Sequence, residues 1–226
     1  MRRFRHLILT RFNVRIDQCD PPDPDWLEHR FAVFERFCLP SVRSQTNANF
    51  DWVVFCHPGM PAAMRERIQD LCAWKAFRPI YFSSVFDQAM VRAAISDLLP
   101  GFSHVITTRL DNDDAISRTF VETLQKNFTG QDLEFLNFTN GYIWHEGGIY
   151  FGQNLSNPFI SLVERVENYR TVYCGNHTEL DQVGPVVQIA EPAAWLQVVH
   201  GRNLSNEAWG WPQAFPDWRE HFGISD

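Results

Sequence analysis

The stretch HVITTRLDNDDAI (104–116) runs from an apolar, β-branched segment straight into Asp111-Asn112-Asp113-Asp114. A short apolar run bounded by polar residues reads as a buried strand. Three carboxylates crowded beyond its end repel one another, and each loses hydration where it is partly buried. A positive partner is therefore expected there.

Upstream, HLILTRFNV (6–14), WVVFC (52–56) and PIYFS (79–83) read as three earlier strands. Helical patterns separate them. Leu27, Phe31, Phe34, Phe37 and Cys38 recur at helical spacing until Pro40, which ends or kinks that helix. PAAMRERIQDLCAW (61–74) and DQAMVRAAISDLL (87–99) follow. Beyond the acidic cluster, SRTFVETLQKNF (117–128) predicts a fourth helix with Ser117 as its N-cap. Strands alternating with helices predict an α/β fold, with a mainly parallel sheet covered on both faces. Such sheets bind ligands outside the carboxyl ends of their strands, which is where the cluster lies.

The later chain changes character. EFLNFTNGYIWHEGGIYF (134–151) reads as two antiparallel strands around a glycine turn, and PFISLVERVENY (158–169) as a helix. CGNHTELDQVG (174–184) reads as a polar loop and AAWLQVVHGRN (193–203) as a last strand; Trp209, Trp211 and Trp218 fall in an irregular tail. DQCDPPDPDW (17–26) carries the prolines and aspartates of a surface loop.

The chain has 226 residues, 45% hydrophobic, enough for one real core and a single domain over 1–226. Its net charge of −7 disfavours a general nucleic-acid surface. The five cysteines have no CxxC spacing, so reduced thiols are the expectation. Neither a secretory leader nor a transmembrane run of ~20 apolar residues is visible. A cytoplasmic protein is expected, with peripheral attachment to the inner membrane left open.

Asp111 and Asp113 are two apart and share a face of an extended segment. Carboxylates so placed suit Mg²⁺ or Mn²⁺, which fills its remaining positions with water and substrate phosphate. The plainer alternative is a solvated loop with Asp114 helping to cap the next helix. Arg109 either grips a phosphate bidentately or serves as charge partner to the aspartates.

Four stretches, HLILTRFNVR (6–15), RFAVFERFCLPSVRSQTNANFDWVVF (30–55), ITTRLDNDDAI (106–116) and WLQVVHGRN (195–203), together resemble the rhamnosyltransferase family of bacterial GT-A fold glycosyltransferases. The resemblance covers most of the chain. It implies a Rossmann-like domain whose first part, about 1–130, binds a nucleotide sugar and whose remainder, about 131–226, faces the acceptor. It implies a dTDP- or UDP-linked donor, transfer with inversion to a glycan, lipid-linked or other hydroxyl acceptor, and a divalent metal, Mn²⁺ or Mg²⁺. Residue by residue, Asp111 and Asp113 match the D-x-D, and His200 the late histidine ligand. Thr10, Arg11 and Asn13 fall where the base and ribose are held. Many relatives place an aspartate just past the second strand; here Cys56 and His57 stand instead, which leaves the nucleotide open. Asp181, with Glu179 close behind, is the expected base, and Trp144, His145 and Gly148 form the expected acceptor-side hairpin. His177 reads as a solvent-exposed histidine. Two rival readings remain: another metal-dependent phosphate-handling enzyme, and an inactive sugar-binding relative.

Overall fold

The computed structural model describes residues 3–16, 24–190, 192–203 and 207–225. Most of the 17–26 loop, together with Glu191, lies outside the described residues.

Two sheets make up the domain. The first carries β1 (Phe4–Arg11), β2 (Asp51–Cys56), β3 (Phe77–Tyr81) and β4 (His104–Arg109), all mutually parallel where they pair. The short β5 (Ala115–Ile116) follows the acidic cluster and opens the second sheet. Next come β6 (Glu134–Phe138), β7 (Asn140–His145), β8 (Gly148–Gln153), β9 (Ser161–Arg165), β10 (Val186–Ile189), β11 (Trp195–Val199) and β12 (Trp211–Pro212). The seven-stranded sheet runs β10-β6-β9-β4-β1-β2-β3 and the five-stranded one β12-β8-β7-β11-β5. Among the described residues there are six α-helices: α1 (Pro24–Val33), α2 (Leu39–Arg43), α3 (Ala62–Leu71), α4 (Gln88–Ile95), α5 (Phe120–Lys126) and α6 (Trp218–His221).

Strand β1 lies between β2 and β4, so its carboxyl end is a topological switch point, with chain connections leaving in both directions. Leu9 of β1 stands opposite Arg109 of β4, which brings the segment after each strand to the same crevice.

Several expectations change. Residues 158–169 are not a helix: Ser161–Arg165 is strand β9, inserted antiparallel between β4 and β6. Ser161, Leu162, Val163 and Glu164 are all buried, so the run lacks the alternation of a half-exposed strand and mimics a helical stripe. Its polar members are satisfied internally. The Ser161 hydroxyl lies 2.7 Å from that of Thr108, and Glu164 accepts from the Arg170 and Thr171 amides at 2.8 and 2.9 Å. The glycine turn is real for β7 and β8, joined at Glu146-Gly147 with φ of 49° and 81°, but β6 belongs to the other sheet.

Ser117 caps nothing. Its amide bonds the Ala194 carbonyl at 2.8 Å, and α5 begins at Phe120. The orphan amide of Val121 is instead met by Gln45 Oε1 at 3.0 Å, so a side chain just past α2 caps a helix far along the chain. Nor does Pro40 end its helix. A π turn at Phe34–Cys38 relieves the clash, and helix resumes through Arg43 with proline in its first turn.

The Trp195 ring lies flat over β7, stacked on Phe159 at 5.5 Å, with Nε1 donating to the Phe138 carbonyl at 2.8 Å. Gly141 makes this possible: a Cβ there would stand 2.0 Å from the ring. Gly141→Ala is expected to cost about 2–3 kcal/mol, through displacement of Trp195. Urea denaturation followed by tryptophan fluorescence checks this, and an unchanged midpoint would refute it.

Candidate active site

At the crevice beyond β1 and β4 the four residues of the acidic cluster face four different ways. Asp111 is held in a fork by Arg109, whose Nη2 donates to Oδ2 at 2.7 Å and whose Nε reaches Oδ1 at 3.4 Å. Arg11, at the end of β1, adds a second guanidinium at 3.3 Å. Burial alone would push the Asp111 carboxyl up, but the two arginines overcome it and hold the group well below the usual carboxylate range. Arg11 also lies over the rings of Phe86 and Tyr173, at 5.9 and 5.5 Å. Burial raises the Tyr173 hydroxyl to about 12, so it stays protonated and donates to the Leu9 carbonyl at 3.1 Å.

Asn112 points inward, donating to the Phe12 carbonyl at 2.9 Å and accepting from Arg30 at 3.3 Å. Asp113 is buried and makes an ion pair with Arg30 through Oδ2. The same oxygen lies 3.2 Å from His200 Nε2 and accepts from Asn203 at 3.2 Å. His200 Nδ1 in turn faces His29 Nε2 at 2.9 Å. Asp114 accepts from the Val198 amide at 2.9 Å, so it braces β11 rather than capping a helix. Burial, then the charges of Asp113 and Asp111, push its carboxyl far up. The crowding is thus resolved residue by residue: guanidiniums neutralise two carboxylates, and the third is driven towards its protonated form.

The remaining candidates divide. Thr10 is fully buried and accepts from Trp52 Nε1 at 2.8 Å, which takes its hydroxyl into the core and away from any nucleotide. Asn13 Oδ1 accepts from the His57 amide at 2.8 Å and so braces the loop after β2. Trp144 and His145 line a cavity of about 430 Å³ that also borders His29, Arg36 and His200; Gly148, against the Tyr150 ring, does not line it. Asp181 and Glu179 are exposed on a 3₁₀ turn, His177–Gln182, and the structure records no side-chain bond for either among the described residues. His177, at the head of that turn, is half-buried rather than exposed. Its ring bonds the Ser156 carbonyl at 2.7 Å, and burial, aided by Arg109 and Arg11, holds it towards the neutral form.

A divalent ion needs converging donors. Among the described residues no three His, Cys, Asp or Glu side chains form a ready cage. Asp113 Oδ2 and His200 Nε2, however, stand 3.2 Å apart. Two cis ligands, each about 2.1 Å from one ion, are separated by roughly 3 Å, so this pair fits a cation that takes its other ligands from water and phosphate. Asp111, spoken for by arginines, is not part of that pair.

Sequence reasoning overlooked Arg30, His29, Tyr173 and Asn203. Arg30 left a signal: it interrupts the apolar stripe of Leu27, Phe31 and Phe34, and a buried arginine on such a stripe needs a carboxylate. Tyr173 left none, because only the tertiary fold brings it to Arg11.

Residues 7–211 match the family described as "Putative rhamnosyl transferase". No curated protein matches the chain. Among solved structures it is similar to S. aureus TarS 1-349 in complex with UDP, with a TM-score of 0.55 at 9% identity over 87% of this chain and 60% of that one. The complex of the same protein with UDP-GlcNAc gives 0.56 at 8% identity, over 88% and 60%. At such identity the likeness is one of fold, and this chain spans 60% of the TarS fragment's length.

Because the folded state depresses Asp111, its stabilising contribution is complete above the unfolded value of about 4 and is lost as pH falls below it. The stability gap between wild type and Asp111→Asn should therefore be constant above about pH 5 and shrink below about pH 4. Urea titrations across that range test it; a gap that widens on acidification would contradict the assignment.

Proposed function

We propose that this chain, which belongs to the rhamnosyl transferase family, moves a sugar from a nucleotide diphosphate donor to an acceptor hydroxyl. Rhamnose as the sugar and inversion as the outcome are part of that proposal. One observation carries it: Arg11 and Arg109 share a single carboxylate at the switch point, beside the Asp113–His200 couple.

Two guanidiniums against one carboxylate leave a unit of positive charge facing the crevice. A diphosphate supplies the missing anion and accepts the bidentate geometry that arginine offers. Phe86 and Tyr173, already flanking Arg11, offer flat faces for a nucleobase. Asp113 and His200 would hold Mn²⁺ or Mg²⁺, which when bound contributes positive charge against the leaving diphosphate. An imidazole ligand favours Mn²⁺ of the two. Arg30 pairs with the Asp113 carboxylate, and Asn203 and His29 fix the carboxylate and the imidazole ring from behind. Asp181, with Glu179 as the alternative, is the proposed base that takes the acceptor proton. It reaches that role only if the 3₁₀ turn closes over the crevice, its neighbour His177 already lying in the field of Arg109.

UDP or dTDP with Mn²⁺ should raise the melting temperature. Arg109→Ala should remove the nucleotide-dependent rise, and Asp113→Asn only the part that depends on Mn²⁺. Indifference of the wild type to every nucleotide diphosphate, with or without metal, would end this reading. For the base, Asp181→Asn should lower turnover by about 10²–10⁴-fold while leaving nucleotide affinity intact. Unaltered turnover would move the role to Glu179.

A further inference from the structure

The cavity beside His200 shares that residue and His29 with the site above but none of the donor-side groups Arg11, Arg109 and Asp111. Its volume, about 430 Å³, lies within the range of small-molecule sites, roughly 300–1,000 Å³. One wall is aromatic and aliphatic. Trp144 packs on buried Phe37 at 5.1 Å between ring centres, with Val33 and Val199 beside them. Such a surface suits the C–H faces of a sugar ring.

Arg36 makes this cavity selective. Its guanidinium lies over both rings, 5.0 Å from Phe37 and 5.3 Å from Trp144. Stacking fixes the plane of the guanidinium and leaves its edge donors free for a ligand. The adjacent carboxylate does not claim it, because Glu35 pairs with Arg67 at 2.8 Å. Among the described residues no carboxylate stands within ion-pair distance of Arg36. The one acid on the rim, Glu146, is largely exposed at the tip of the β7–β8 turn and lies 3.9 Å from His145 Nε2. With His29, His145 and His200 facing the same space, the lining carries one fixed cation and three imidazoles against a single solvated carboxylate.

We infer that this cavity is the acceptor subsite and that it takes a sugar bearing a negative charge, a carboxylate or a phosphate, read by Arg36 from its seat on Trp144. The inference rests on the proposed transfer reaction for the word acceptor, whereas the charge preference stands on the cavity alone. A forked guanidinium can hold either anion through two parallel N–H donors, and the aromatic wall orients the ring so that a hydroxyl points towards His200 and the donor crevice.

The test titrates wild type, Arg36→Gln and Arg36→Lys with methyl β-glucuronide, glucose 1-phosphate and the neutral methyl β-glucoside, and separately with UDP plus Mn²⁺. At least one charged probe should bind the wild type about tenfold more tightly than the glucoside, the range of a charge-assisted hydrogen bond. Whichever charged probe binds better identifies the uronate or the phosphate as the source. Arg36→Gln should abolish the preference, Arg36→Lys should retain part of it, and UDP affinity should be equal in all three proteins. Equal binding of charged and neutral probes, or a preference that survives Arg36→Gln, overturns the inference. Failure of UDP to bind, with the Arg36-dependent preference intact, removes the transferase reading and leaves the anion-selective cavity standing.

Discussion

Three carboxylates within four residues cannot sit beyond a buried strand without counter-charge, and here it comes from three places: Arg109 on β4, Arg11 at the end of β1 and Arg30 on α1. Each source imposes a requirement on the architecture. For Arg11 to reach Asp111, β1 and β4 must be neighbours in parallel register, with Leu9 opposite Arg109. For Arg30 to reach Asp113, α1 must lie with its apolar stripe in the core beside Phe12, and the π turn that follows it must set Phe34 on Trp52. The aromatic contacts of Phe12 with Phe31 and Phe34 hold it there. Electrostatic need and hydrophobic packing therefore select the same placement of α1, a consistency between levels expected of a sequence with one native state.

The fourth residue of the cluster extends this control to the second sheet. Asp114 receives the amide of Val198, two residues before His200, and β11 ends at Val199. The imidazole that faces Asp113 is thus set by a bond to the carboxylate next door. A shift of β11 along its neighbours would break the Asp114 bond and the Asp113–His200 contact together. The acidic cluster thus joins the two sheets, and Trp195, sealed over Gly141, keeps the register of β11 on β7 from slipping.

The parallel strands and the acidic crevice were legible because period and position agree there: apolar runs of strand length, helical spacing between them, and charge at a strand end. Strand β9 was not, since a run buried on both faces has no period of its own. The surroundings of Thr10 and Asn13 were hidden for a related reason. Both stand at the right strand end, but alternation turns Thr10 into the core, and Asn13 serves the backbone of His57. The split between Asp111 and Asp113 lay beyond sequence reading altogether. Two carboxylates on one extended face look equivalent until the arginines that distinguish them are brought in from β1 and α1.

The Arg30–Asp113 pair shows why that split is more than packing. Both side chains are only 7% exposed, and burying a charged pair costs several kcal/mol per ion before any attraction is counted. Well-packed apolar residues would stabilise this position as well or better, so stability alone does not account for charges here. Arginine adds a flat face that lysine lacks. Its Nη1 touches Asn112 Oδ1 and Asp113 Oδ2 together, while the guanidinium lies 4.9 Å from the Trp26 ring. Among the described residues its Nε is buried without a partner, a further cost accepted in holding that plane. What the arrangement secures is a carboxylate held in place by Arg30 and Asn203, with one oxygen 3.2 Å from His200 Nε2. The proposed pair of cation ligands would need that fixed placement, and a salt bridge that served stability alone would not.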